Sequence, residues 1–120
     1  KDKVEAIYRY VVSNIEYDYG KIDAVDSRYV PDVEGTLISK KGICYDYSAL
    51  FASMLRSQGI PAKLVKGYTD NVDGYHAWNE VLIDGQWVVI DTTYDAIMKT
   101  ANQDEDYMKN KTEYRIARVY

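Results

Sequence analysis

Cysteine and histidine each occur once in this 120-residue chain, as Cys44 and His76, and phenylalanine occurs once against thirteen tyrosines. A single cysteine excludes an intrachain disulfide framework, and one Cys with one His cannot build a Cys/His zinc site. It leaves the redox compartment open, because a lone thiol tolerates either environment. No apolar run approaches the roughly 20 residues that a membrane-spanning helix needs. Positive charge is not in excess: 15 Lys and Arg against 19 Asp and Glu give a net charge of −4 and a pI near 4.9. The basic footprint of a nucleic-acid or anionic-membrane binder is therefore missing. Repeats and low-complexity tracts are missing too. No secretion signal is read at the start, where charged Lys1-Asp2-Lys3 leads straight into a helical pattern. The expectation is a domain cut from a longer polypeptide, with its address elsewhere.

What is present suits a folded domain. Apolar residues make up 47% and charged residues 28%, which argues against disorder. The length predicts a single domain over 1–120. Val4, Ile7, Tyr8, Val11, Val12 and Ile15 recur at helical spacing and predict an amphipathic helix over 3–15. Residues 16–34 dissolve into Tyr, Asp, Ser, Gly and Pro and read as a long, functional loop. One helical turn is expected at 36–40. A second helix starts near Gly42-Ile43-Cys44, carries Tyr47, Leu50, Phe51, Met54 and Leu55 on one stripe, and stops at Gly59-Ile60-Pro61. Strands are predicted at 62–69, 75–83 and 86–91, with a turn over 70–74 and an Asp84-Gly85 hairpin turn. Residues 95–106 read as polar, with the acidic 104–106 run as solvated surface, and 114–120 as a last strand.

Cys44 at a helix start meets unpaired N–H groups and the positive end of the helix dipole, which favour a thiolate. The same N–H groups suit a developing oxyanion. Asp46, two residues on, opposes the thiolate, so a nearby imidazolium is needed. The hairpin supplies one. A two-residue turn at 84–85 pairs Ile83 with Gln86 and sets Trp78 opposite Asp91, which makes His76 and Asp91 diagonal neighbours. Nucleophile, base and orienting carboxylate are the parts of a thiol catalyst. Each part has a bland reading: a buried Cys as a small hydrophobe, a His satisfied structurally, an Asp ending its strand or capping the next element. Their coincidence favours the catalyst.

The runs GICYDYSALFASMLRSQGIPAKLVKGY and HAWNEVLIDGQWVVIDTTYD resemble the transglutaminase-like superfamily of papain-type thiol enzymes. The matching blocks are Gly42 to Cys44, His76 to Trp78, and Trp87 to Thr93, within a motif core over about 36–95. The resemblance implies an α+β fold, with the N-terminal helix and the Cys-bearing helix packed on a small antiparallel sheet. It implies a Cys44–His76–Asp91 triad acting through a thioester as transglutaminase, protease, amidase or deamidase. Tyr17 is the candidate upstream donor near the oxyanion, and Trp78 is expected on the active face. Protein or peptide substrates are implied, cell-wall peptide among them, with no cofactor and a bacterial, secreted or cell-surface setting. Calcium-dependent members exist, but Asp70-Asn71-Val72-Asp73-Gly74 lacks the ligand spacing of a calcium loop. Tyr45, Tyr47, Tyr75 and Tyr94 flank the motif blocks; most of the thirteen tyrosines read as half-buried packing, and those beside Cys44 and His76 are expected to line a cleft. The rival expectation is a peptide- or glycan-binding module that keeps the fold without turnover.

Overall fold

The computed structural model describes residues 2–22, 28–100 and 107–120, with Ile22 and Thr100 described by their backbone only. The acidic 104–106 run lies outside the described residues. Helix α1 (Asp2–Asn14) buries Val4, Tyr8, Val11 and Val12, the stripe its spacing predicts. The 16–34 stretch is not one continuous loop. It holds a short strand β1 (Glu16–Tyr17) and a helical turn α2 (Tyr19–Ile22). Next comes α3 (Val33–Ser39), which begins three residues before the single turn expected there, because the Asp32 side chain caps the Gly35 N–H at 3.1 Å. Strand β2 (Lys41–Gly42) runs parallel to β1, pairing Tyr17 with Gly42, and so ties the N-terminal segment to the residues just ahead of Cys44.

Helix α4 (Cys44–Ser57) comes after β2 and buries Tyr47, Leu50, Phe51 and Leu55. Burying one such side chain stabilises by about 1.5–3 kcal/mol, against propensity differences below about 0.7 kcal/mol per residue. Packing rather than propensity therefore places this helix. Its end is closed by two hydrogen bonds, Gly59 N to Arg56 O and Ile60 N to Leu55 O, both 3.0 Å. That pattern needs a left-handed residue, and Gly59 has φ of 73°.

Strands β3 (Ala62–Thr69), β4 (Val72–Ile83), β5 (Gln86–Ile90) and β6 (Tyr114–Val119) form an antiparallel sheet in the order β5-β4-β3-β6. The hairpin register is the predicted one, with Ile83 opposite Gln86 and Asn79 opposite Ile90. Asp84 and Gly85 both have positive φ, at 51° and 81°, as a turn matched to strand twist requires. The preceding turn is shorter than expected. Only Asp70 and Asn71 turn, and Val72-Asp73-Gly74 already belongs to β4. Helix α5 (Thr92–Thr100) occupies a region that reads as polar and irregular in sequence.

The main core joins α1 and α4 to Ala62, Val81, Ile83, Ile90 and Ala96. Val65, Trp78, Val89 and Tyr114 make a second, smaller cluster. The fold is thus α+β, helices against an antiparallel sheet, as expected. Its helical layer also contains α5, on which α1 packs as it does on α4.

Candidate active site

Three elements converge on one point: the first turn of α4, the middle of β4, and the junction of β5 with α5. Cys44 is the first residue of α4 and is half-buried. His76 stands in β4 opposite Gly67 of β3 and is 4% exposed. A side chain at Gly67 would collide with the Arg115 carbonyl and with Trp78, so the glycine lets β6 and the Trp78 ring close in beside His76. Asp91 lies just past β5 and is fully buried.

His76 Nε2 is 2.9 Å from Asp91 Oδ2. That leaves Nδ1 for a second partner, and Cys44 lies near enough to act on the charge of the ring. Burial alone would lower the His76 pKa. Hydrogen bonds and charge from Asp91 and Cys44 outweigh it and lift the value to about 10. The arrangement therefore favours an imidazolium held against the Asp91 carboxylate.

Asp91 is held from two further sides. Its Oδ1 accepts the Tyr94 N–H at 3.1 Å, which makes it the cap of α5. Its Oδ2 also accepts the Tyr114 hydroxyl at 3.0 Å. Capping the helix and contacting His76, alternatives in the sequence, both fall to this one carboxylate.

Asp46 opposes a thiolate in the sequence, but the structure gives it three partners. The Ile43 N–H donates to its Oδ2 at 2.9 Å, the Tyr29 hydroxyl donates to its Oδ1, and Lys21 Nζ lies 3.0 Å away. A Cβ at Gly42 would sit 2.6 Å from the Asp46 Cβ. The glycine of the Gly-x-Cys block is thus explained by room for Asp46 rather than by the thiol. Burial lowers the Lys21 pKa, but the hydrogen bonds its ammonium donates to Tyr29 and Asp46 prevail and raise it.

The structure brings Cys44, His76 and Asp91 together and separates the other candidates. Trp78 is 0% exposed and cannot meet a substrate on an open face. It stacks on the His76 ring at 6.2 Å and meets Tyr114 edge-on at 4.9 Å, so it supports the imidazole from the small cluster. The Tyr17 backbone lies beside Gly42, but its ring packs on Tyr19 and the main core. There it lines a cavity of about 280 Å³ with Tyr47 and Ile97, and no triad residue lines it. Of the flanking tyrosines, Tyr47 is core, donating to the Ile15 carbonyl at 2.8 Å. Tyr75 is 51% exposed against Tyr68, and Tyr45 lies under Lys66 Nζ at 3.5 Å. Asp70 pairs with Arg115 at 2.8 Å. Sequence reasoning missed Tyr114, Lys21 and Tyr29. Tyr114 opens a strand whose partner and bulged register no local pattern reveals, and Lys21 and Tyr29 carry no motif.

Known proteins resemble this chain in sequence and in fold. The transglutaminase-like superfamily matches residues 1–92. The human kyphoscoliosis peptidase is 30% identical over 104 residues, covering 78% of this chain and 15% of the relative. The UPF0252 protein MJ1282 of Methanocaldococcus jannaschii is 33% identical over 105 residues, covering 76% and 30%. This chain therefore spans less than a third of each relative's length. Among solved structures, the periplasmic domain of TgpA from Pseudomonas aeruginosa is 26% identical with a TM-score of 0.55, covering 76% of this chain and 37% of that one. Calcium-bound LapG of Legionella pneumophila superposes with a TM-score of 0.74 over 99% of this chain and 64% of its own, at 10% identity, a likeness of fold alone.

Proposed function

This chain belongs to the transglutaminase-like superfamily, and from that premise we propose that it is a thiol-dependent acyl-transfer or amide-hydrolysing domain acting on protein or peptide substrates. One observation supports the reading: a buried carboxylate holds the single imidazole at 2.9 Å, with the single thiol close enough to act on its charge. In the proposed sequence the Cys44 thiolate attacks a carboxamide carbon, and the carbonyl π pair moves onto oxygen. First-turn N–H groups of α4 receive that oxyanion, where one such donor is worth about 10²–10³ in rate. The intermediate collapses as His76 gives its proton to the leaving amine or ammonia, and a thioester on Cys44 remains. Water or a primary amine then attacks, with His76 taking its proton, and the thiolate leaves. Asp91 accepts from Nε2–H throughout and holds Nδ1 toward sulfur. The peptidase name of the human relative supports the hydrolytic branch. Peptides met outside the cytosol, cell-wall peptide among them, are the substrate class we favour.

The test is chemical and uses the single cysteine as its own reporter. An ordinary thiol is about 1% ionised at pH 6.5. A stabilised thiolate is therefore expected to alkylate with iodoacetamide on the order of tenfold to a hundredfold faster than a free cysteine, even after its lower nucleophilicity. His76→Ala should return the rate to that of the free thiol. Ordinary kinetics that ignore His76 would sink the reading and leave the binding module. Amine incorporation, peptide cleavage and glutamine deamidation, assayed side by side, then separate the branches.

A further inference from the structure

We propose that Lys21 is a positioning residue of the thiol site: held against Asp46, its ammonium cancels the carboxylate charge in the first turn of α4 and so keeps the Cys44 thiolate favoured. This inference rests on the thiol chemistry proposed above.

The need for a counter-charge arises from Asp46 itself. Its side chain is fully buried, two residues after the nucleophile. It is built in rather than incidental, because it accepts the Ile43 N–H and the Tyr29 hydroxyl and because Gly42 leaves the space it fills. A buried carboxylate two residues from a thiol in the same first turn disfavours the thiolate unless a cation offsets it. A helix N-terminus offsets it only in part. His76 is already engaged by Asp91. Among the described residues, the groups facing this end of α4 include His76 from β4, with Asp91 behind it, Lys66 from β3 over the Tyr45 ring, and Lys21 with Tyr29 from the N-terminal segment. Among these, Lys21 is the cation placed on Asp46, and it also lies over the Tyr29 ring at 4.8 Å. Its side chain is 30% exposed, so it can be exchanged from the solvent side. The segment that reads as a loop in sequence therefore carries an electrostatic element of the site.

The experiment tracks the pH dependence of Cys44 alkylation by iodoacetamide in wild type, Lys21→Met, Lys21→Arg, Asp46→Asn and the Lys21→Met/Asp46→Asn double variant. Lys21→Met should move the midpoint up by about one pH unit and slow the reaction about threefold to fivefold at pH 6.5. Lys21→Arg should keep the wild-type profile. The double variant should return to within about twofold of wild type, since both charges are then gone. A wild-type profile in Lys21→Met would overturn the proposal, as would equal slowing in Met and Arg variants or a double variant slower than Lys21→Met. If circular dichroism shows Lys21→Met unfolded, Asp46→Asn decides: a lower midpoint supports the proposal and a higher one ends it. A wild-type Cys44 that reacts like a free thiol removes the thiol-catalyst reading and this inference with it. A fast wild type with an indifferent Lys21 removes this inference alone.

Discussion

Two buried carboxylates sit one helical turn apart at the start of α5, and they do different things. Asp91 meets His76 at 2.9 Å and Tyr114 at 3.0 Å. Asp95 accepts the Tyr8 hydroxyl at 2.7 Å and pairs with Lys109 Nζ at 2.6 Å. Both are buried, at 0% and 3% exposure, so burial alone does not distinguish a candidate catalytic carboxylate from a structural one. The partners do. An imidazole can pass a proton to and from a half-buried thiol, whereas the Asp95 pair clamps α1, α5 and the segment that bridges Val89 through Lys109. Burial pushes the Asp95 pKa up to about 6, against the opposing pull of Lys109 and Tyr8. That is the signature of a costly buried charge rather than of a reactive one.

Removing one member of the structural pair should have the largest effect. Lys109→Met strands a buried carboxylate and is expected to cost about 3–5 kcal/mol, read as a lower urea midpoint. Asp95→Leu/Lys109→Met, which removes both charges, should restore most of it. Cys44 alkylation by the folded fraction should stay at the wild-type rate in both; a loss there would break the separation between the two clusters.

A smaller effect concerns pH. The folded-state pKa of Asp95, about 6, lies above the ordinary 3.8, so between those values the folded protein binds more protons than the unfolded one. Stability from this group is full below about pH 3.8 and lost as pH rises through about 6. The loss is on the order of 2 kcal/mol, and an Asp95→Asn/Lys109→Met variant should lack it in urea titrations at pH 4 and pH 6.5. Smallest of all, Tyr114→Phe keeps the ring against Trp78 but removes the hydroxyl from Asp91. One hydrogen bond of about 1 kcal/mol predicts alkylation about fivefold slower, with a melting temperature lower by about 4 °C. A rate equal to wild type would leave Tyr114 as packing only.

Features set by short-range stereochemistry were legible in the sequence. The Asp84-Gly85 turn determined the β4–β5 register, and that register brought Asp91 to His76. Gly59-Ile60-Pro61 ended α4 for reasons internal to six residues. Helix α5 was not legible, because its nine residues open with β-branched Thr92 and Thr93 and depend on Asp91 as cap and on α1 as packing partner. Trp78 was expected on the right strand, near the right residues, and given the wrong role. Alternation along a strand tells which residues share a face, and burial decides whether that face meets solvent.

By itself the sequence determined the class of fold, the family blocks and the approach of His76 to Asp91, since each arises from neighbours in sequence or from one tight turn. Only the tertiary structure decided what surrounds them. Lys21 and Tyr29 reach Asp46 across 25 and 17 residues, and Tyr114 reaches Asp91 across 23. Contacts of that kind depend on how separate elements pack, and the electrostatic state of a buried site is the sum of such contacts.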